Sequence, residues 1–367
     1  MHQRRVEFGE PVGGGIHRLK IFEEIISLEN LFLAWREFCR GKRNKSDVCE
    51  FEFNLEDNLF QLYYELKNKT YRHSDYTSFF VCDPKLRKIH KAVVCDRVLH
   101  HAVFRILYSI FDKSFIFDSY SCRIGKGTHR AVAKLGKFCR KLSRNNTRNI
   151  FVLKCDVRKF FDSIDQEILL ELIEEKVSDE NALWLIREII RSFGNKDSIK
   201  SSLDSRFRGN DKRGLPLGNV TSQLFANIYL DKLDQFVKHK MKEKYYLRYC
   251  DDFLVLGEKE EYLEKLILLI TSFLKNRLNL DLHPDKIVIR KFRQGIDFLG
   301  YVVLPRHTVL RTKTKRRIIR KIKEKNFLLL EDLIPEEKFC QSLRSYLGIL
   351  KHCRGHKIKI AIRESLK

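Results

Sequence analysis

The chain reads as an α+β protein in which a small antiparallel sheet carries the chemistry, and three features of the sequence point there. In FVLKCD (151–156), Phe151, Leu153 and Cys155 alternate with Val152, Lys154 and Asp156, the period-two pattern of a strand that ends on a carboxylate. In YYLRYCDDFLVLG (245–257), two short apolar runs meet at Asp251-Asp252, which predicts a hairpin with two acids at its tip. Elsewhere apolar residues recur at helical spacing, as in Leu55, Leu59, Leu62 and Leu66.

Residues 1 to about 20 show no periodicity, and 1–27 is expected to be a loose N-terminal arm. Two amphipathic helices are expected between Leu28 and Lys69, separated by the basic stretch GKRNKSD. YTSFFVCDPKLRKIHKAVV has β-rich runs on either side of a turn signal, so it predicts a hairpin with Lys85 and Arg87 near the tip. Such cations suit an incoming triphosphate, and equally a solvated turn. A buried helix over 97–117, another from about Thr128, and one from Asp165 to Ser192 follow.

NKDSIKSSLDSRFRGNDKR (195–213) is polar throughout and reads as a surface loop, with SLDSRFRGND resembling the translation of a dispersed bacterial DNA repeat. An insertion at about 199–211 without chemistry is expected. Beyond it come a glycine-rich turn and a helix bearing Leu224, Ile228 and Leu233, a helix over Glu260–Leu278, and the strand-like GIDFLGYVVL. From Arg306 to Lys325 ten of twenty residues are Lys or Arg, which predicts a basic helical end to the chain. Neither GKGT nor the triple glycine at 13–15 has the spacing of a phosphate loop.

Lys and Arg number 72 against 48 Asp and Glu, a formal charge of +24, so a polyanionic partner is the first expectation, with a merely basic soluble surface as the alternative. Ten cysteines without a C-x-x-C pair suit a reducing cytosol. His352, Cys353 and His356 lack a fourth local ligand for zinc. No apolar run reaches the roughly 18 residues a membrane helix needs, and no signal core opens the chain, so neither export nor a membrane partner is expected.

Gathering acids in so basic a chain has a chemical use. Magnesium prefers carboxylate and phosphate oxygens, and nucleotide transfer to a 3′-hydroxyl uses two such ions. Asp156 at a strand end and Asp251-Asp252 at a hairpin tip supply the donors if the two elements lie side by side. Taken alone, Asp251-Asp252 is equally a polar turn.

The wider pattern decides between these. VLKCDVRKFFDSID resembles the first catalytic block of reverse transcriptases, YCDD the second, and LNLDLHPDK with FLGYVV the two blocks after it, in order. DPKLRKI, DRVLHHAV, SYSCRIGKGTH, LPLGNVTSQLFANIYLDKLD and YLGILKH extend the resemblance over about residues 28 to 355, most closely to the enzymes of diversity-generating retroelements. Group II intron enzymes usually have Q-G-x-x-x-S-P where this chain has Leu217-Gly218 through Ser222-Gln223. Their DNA-binding and endonuclease modules would also need more chain than follows here.

The resemblance implies a right-hand polymerase with fingers (28–150, with part of the palm), an antiparallel-sheet palm (151–305) and a basic helical thumb (306–367). It implies that Asp156, Asp251 and Asp252 hold two Mg2+ ions, with Mn2+ able to substitute, and that Lys286 protonates the leaving pyrophosphate. Phe161 would exclude a 2′-hydroxyl, although next to Phe160 it is equally a core aromatic. Lys85 and Arg87, with Leu217, Gly218 and Gln223, would contact the nucleotide, and Phe298, Leu299, Gly300 and Tyr301 would grip the primer. The implied activity is error-prone copying of a template RNA into cDNA from dNTPs, miscopying adenines, with an oligomeric basic accessory variability protein as partner. The implied setting is the cytoplasm, in a bacterial, archaeal or phage-encoded system. The alternatives are a retron, abortive-infection or intron-type reverse transcriptase, or a non-catalytic RNA-binding protein on the same scaffold.

Overall fold

The computed structural model describes residues 20–82, 85–194 and 212–364. The expected insertion at 199–211 lies outside them, as do Asp83 and Pro84. The chain divides into two units, each discontinuous in sequence. The first takes the described residues up to Ser114 together with those of Ile164–Tyr229, and the second takes Phe115–Ser163 with those from Leu230 on. The contiguous fingers, palm and thumb segments expected from sequence do not coincide with this division.

The first unit is mainly helical. Its helices are Ile21–Ile26, Leu28–Phe38, Ser46–Phe53, Leu55–Lys67, Val94–Phe111, Gln166–Glu174, Glu180–Arg191 and the start of Val220–Gln235. The expected arm therefore ends before Ile21: Ile21, Phe22, Ile25 and Ile26 form a buried helical face, and the Phe22 N–H donates to Asp179 at 2.8 Å. Six residues are too few to show a helical period in sequence. The expected 165–192 helix is two, because Asp179 caps a second one by accepting from the Asn181 and Ala182 N–H groups. Likewise Leu28–Lys69 holds three helices, the last two parting at Asn54.

Strands β1 (Thr77–Cys82) and β2 (Leu86–Lys91) pair antiparallel from Thr77↔Lys91 to Cys82↔Leu86, the hairpin expected. Its base is fixed by the His90 N–H, which donates to the Leu217 carbonyl at 2.9 Å. Beneath it lies a buried polar chain. His100 Nδ1 meets Thr221 Oγ1 at 2.6 Å and its Nε2 meets His73 Nε2 at 3.0 Å, while Asp96 takes the Tyr71 hydroxyl at 2.7 Å.

The second unit contains two sheets. β3 (Phe151–Asp156), β4 (Tyr246–Tyr249), β5 (Asp252–Gly257) and β6 (Val288–Lys291) form an antiparallel sheet in the order β4-β5-β3-β6. β7 (Ile296–Phe298), β8 (Tyr301–Val303) and β9 (Thr308–Leu310) form a smaller one. Val152, Leu247 and Leu254 of the larger sheet, Leu135 of the helix Thr128–Leu142, and Phe298 and Val303 of the smaller sheet share one core. Ile318, Ile322, Leu350, Ile358 and Ile362, from the helices Thr312–Leu330, Glu336–Leu350 and His356–Glu364, belong to the same core. The C-terminal helices are thus basic outside but are not a separate module. No helix among the described residues is long and apolar enough to cross a membrane.

The buried histidines predict an acid-sensitive first unit. Burial holds His100 well below the ordinary histidine pKa, helped by His73 and His101; burial, Lys42 and Arg105 lower His101 to about 4. Their folded pKa values lie below the unfolded ones, so as pH falls below about 6.5 the unfolded chain takes up protons the folded chain refuses. Each group should then cost up to about 1.4 kcal/mol per pH unit. The urea midpoint should fall between pH 7.5 and 5.5, and fall less in His101→Gln; an equal drop would remove His101 from the effect.

Candidate active site

Asp156 and Asp252 are direct cross-strand partners where β3 pairs with β5, and Asp251 precedes Asp252 in the two-residue turn that joins β4 to β5. The sequence pattern put one acid at a strand end and two at a hairpin tip; strand pairing brings them together. Cys250, the first turn residue, has φ +56°, the left-handed geometry that tight hairpin turns require. Asp156 is also tied by its carbonyl, which accepts the His283 N–H at 2.8 Å and so brings the His283–Lys286 turn alongside.

Two lysines stand among the acids. Lys286 Nζ donates to Asp156 Oδ1 at 2.6 Å, and Lys154, two residues before Asp156 on the same strand face, lies 3.7 Å from Asp252 Oδ1. Burial raises the pKa of Asp251, and the charge of Asp156 adds to it. Burial pushes Asp252 up to about 6; Lys154 opposes the rise, and Asp251 and Asp156 reinforce it.

Among the described residues no group of three or more His, Cys, Asp or Glu closes into a metal cluster, and His352, Cys353 and His356 form none. His352 instead stacks on His129 at 3.8 Å. The donor set at the acids still fits a hard divalent ion. It is all oxygen, its buried like charges repel, and Mg2+ typically takes only one or two protein carboxylates, completing its shell with water and phosphate.

A second layer that the sequence reading missed holds the acidic hairpin. Arg248 of β4 is fully buried and grips Asp234 with three contacts, Nε to Oδ1 at 2.8 Å, Nε to Oδ2 at 3.0 Å and Nη2 to Oδ2 at 2.7 Å. Tyr246 donates its hydroxyl to the same carboxylate at 2.6 Å. Arg248 Nη1 then donates to the Cys250 carbonyl at 3.0 Å, fastening the turn that presents Asp251. Burial works against the guanidinium's charge, but Asp234 outweighs it and leaves the pKa above its ordinary value. The available signal was an arginine inside the apolar strand YLRY, which requires a buried counter-charge.

The other expected site residues fall in both units. In the second, Phe160 packs inward and leaves Phe161 half-buried, their rings 5.4 Å apart and edge-on. Phe298 and Tyr301 are buried and paired, and between them Leu299 and Gly300 turn the chain with φ of +50° and +85°. In the first, Lys85 lies in the hairpin turn, Arg87 is exposed on β2, Leu217 is half-buried and Gln223 is exposed. Gly218 has φ +129°, and a Cβ there would come within 3.0 Å of the His90 carbonyl, so the turn beside Leu217 accepts only glycine.

Comparison with known proteins fits this arrangement. The model of the family described as reverse transcriptase (RNA-dependent DNA polymerase) matches residues 82–303, more than half the chain and all four strands of the acidic sheet. The chain belongs to the reverse transcriptase family. It is 24% identical to Protein YkfC of Escherichia coli K12 over 302 residues, 72% of each chain. It is 23% identical to the group II intron-encoded protein LtrA of Lactococcus lactis subsp. cremoris over 335 residues, 72% of this chain and 53% of that one. A solved telomerase from Candida tropicalis superposes with a TM-score of 0.47 at 14% identity, over 69% of this chain and 60% of that one. The chain thus spans about half the length of LtrA and well under the full length of the telomerase. Reverse transcriptases as a family use divalent metal ions.

Truncating the buried ion pair should unfold this reverse transcriptase's second unit readily. Asp234→Ala leaves a desolvated guanidinium unpaired and should cost about 3–5 kcal/mol, read as a lowered urea midpoint by circular dichroism. Asp234→Leu combined with Arg248→Met should recover much of that stability. Additive losses in the double variant would show that the two residues act separately.

Proposed function

We propose that this chain is an RNA-directed DNA polymerase that adds deoxynucleotides to a primer 3′-hydroxyl at Asp156, Asp251 and Asp252. The observation that carries the reading is the cross-strand pairing of Asp156 with Asp252 on a hairpin whose tip is Asp251. Asp156 and Asp251 would hold two Mg2+ ions, or Mn2+ in their place, with Asp252 beside them. When bound, the ions supply the Lewis acidity that activates the hydroxyl and neutralises the leaving pyrophosphate.

The protein's own groups do the rest. Lys286, already against Asp156, carries the proton for the leaving pyrophosphate. Phe161 presents a half-buried ring five residues after Asp156, suited to excluding a 2′-hydroxyl. Lys85 and Arg87 are exposed cations for the triphosphate, the Phe298–Tyr301 turn positions the primer, and the basic C-terminal helices ride on phosphates. A +24 chain matches a template RNA and its cDNA.

The finer reading is a diversity-generating retroelement enzyme that miscopies template adenines and works with an oligomeric basic accessory protein. The sequence around Leu217 supports it: the family's intron members carry glutamine there, and Leu217 offers contact without side-chain hydrogen bonding. An intron-type role is the second reading, favoured by the likeness to LtrA.

Asp251→Ala should abolish primer extension while RNA retention on filters stays at the wild-type level, because affinity rests on phosphate contacts elsewhere. Residual extension would move the chemistry off this hairpin. Leu217→Gln should lower misincorporation opposite adenine more than opposite other template bases, read by sequencing products from one template. Identical error spectra from two active enzymes would leave the polymerase standing and remove the retroelement reading's support at this residue.

A further inference from the structure

At the base of the β1–β2 hairpin, within the first unit, is a cavity of about 240 Å3 whose polar side chains are lysine, arginine, histidine and asparagine. Lys42, Lys91, Arg97, His101 and Asn219 all line it, and no carboxylate does so among the described residues. Three of these residues carry a buried nitrogen with no hydrogen-bond partner among the described residues: Arg97 Nε, His101 Nδ1 and Asn219 Nδ2. Asn219 is only 3% exposed. Buried polar atoms are nearly always satisfied, so three unpartnered nitrogens among the residues around one cavity are unusual.

The charge points the same way. Asp47 is the carboxylate paired with these cations, 2.7 Å from Lys91 Nζ and 2.5 Å from Arg97 Nη2, which leaves one carboxylate against three cations. Lys42 Nζ spends one hydrogen on the Phe38 carbonyl at 2.8 Å. Burial and then the charge of Arg97 lower its pKa, the mark of positive charges held close together. Val220, also on the wall, begins the helix Val220–Gln235, so the positive end of a 16-residue helix adds to the field. At about 30 Å3 per water the space takes several waters or a tetrahedral anion with part of its shell.

We infer that this cavity is a phosphate-binding site, distinct from the acidic hairpin, in which Lys42, Arg97 and Asn219 hold a single phosphate group. The group is either a backbone phosphodiester of a nucleic-acid strand or a free phosphate. As a strand contact the site deepens the polymerase reading and rests on it; as an anion site it does not.

The test uses the full chain without metal, template or primer, so that it can fail separately from polymerase activity. Inorganic phosphate should raise the melting temperature more than sodium chloride at matched ionic strength. Lys42→Gln and Asn219→Leu should each weaken phosphate binding about tenfold or more, the scale of a lost hydrogen bond to a charged group, while Lys42→Arg keeps it. In a second arm, anisotropy of a labelled single-stranded RNA is followed across a salt series. If a backbone phosphodiester is the ligand, Lys42→Gln should flatten the log–log salt slope by about one unit. A change in both arms or in the RNA arm alone identifies a strand phosphate, and a change in the phosphate arm alone identifies the free anion. Wild type and both variants behaving alike in both arms would overturn the site.

Discussion

Strand β4 enters the acidic turn on a fully buried arginine, and the placement of that turn depends on how its charge is met. Asp234 meets it with three short contacts, and Tyr246 takes a remaining acceptor site on the same carboxylate. Burying such a pair gains little net stability compared with an apolar core, since both ions give up their hydration. What it supplies here is direction. The guanidinium's Nη1 reaches the Cys250 carbonyl, while the backbone of Arg248 pairs with Asp118 and Tyr120. One residue thereby ties the helix carrying Asp234, the 118–120 segment and the acidic turn together.

The acids occupy the least comfortable part of the sheet. Asp156 and Asp252 face each other across strands, an arrangement like charges resist; burial raises the pKa of Asp251 and Asp252, and the neighbouring carboxylates add to it. Lys154 and Lys286 moderate it, each beside one of the facing carboxylates. Positive φ also occurs at turns of this unit. Lys159, Cys250 and Leu299 all have positive φ without being glycine, at turns beside Phe161, Asp251 and the Phe298–Tyr301 pair. Strain of this kind persists only where surrounding packing fixes it.

In the first unit, the hairpin and the glycine turn constrain each other. The His90 N–H to Leu217 carbonyl bond sets their spacing, and Gly218 permits it because a side chain there would strike the His90 carbonyl. Leu217 is consequently held by its backbone. The cation-lined cavity lies against the same two elements.

By itself the sequence determined the longer elements and where the acids fall on them. Period-two alternation placed Asp156 at a strand end, the YCDD run placed Asp251 and Asp252 at a hairpin tip, and the helix Glu260–Leu278 was legible end to end, because these signals are local in the chain. The buried helix Ile21–Ile26 is too brief to show a period, whereas the break capped by Asp179 did leave a local signal, the polar run Ser178–Asn181, which the apolar pattern on either side outweighed. Only the tertiary structure decided that Asp156 pairs with Asp252, that Arg248 is answered by Asp234, that the basic C-terminal helices share the sheet's core, and that Lys42, Arg97 and Asn219 line one cavity. Each of these joins residues distant in sequence, and their partners are chosen by strand register and burial, which no local pattern of residue types records.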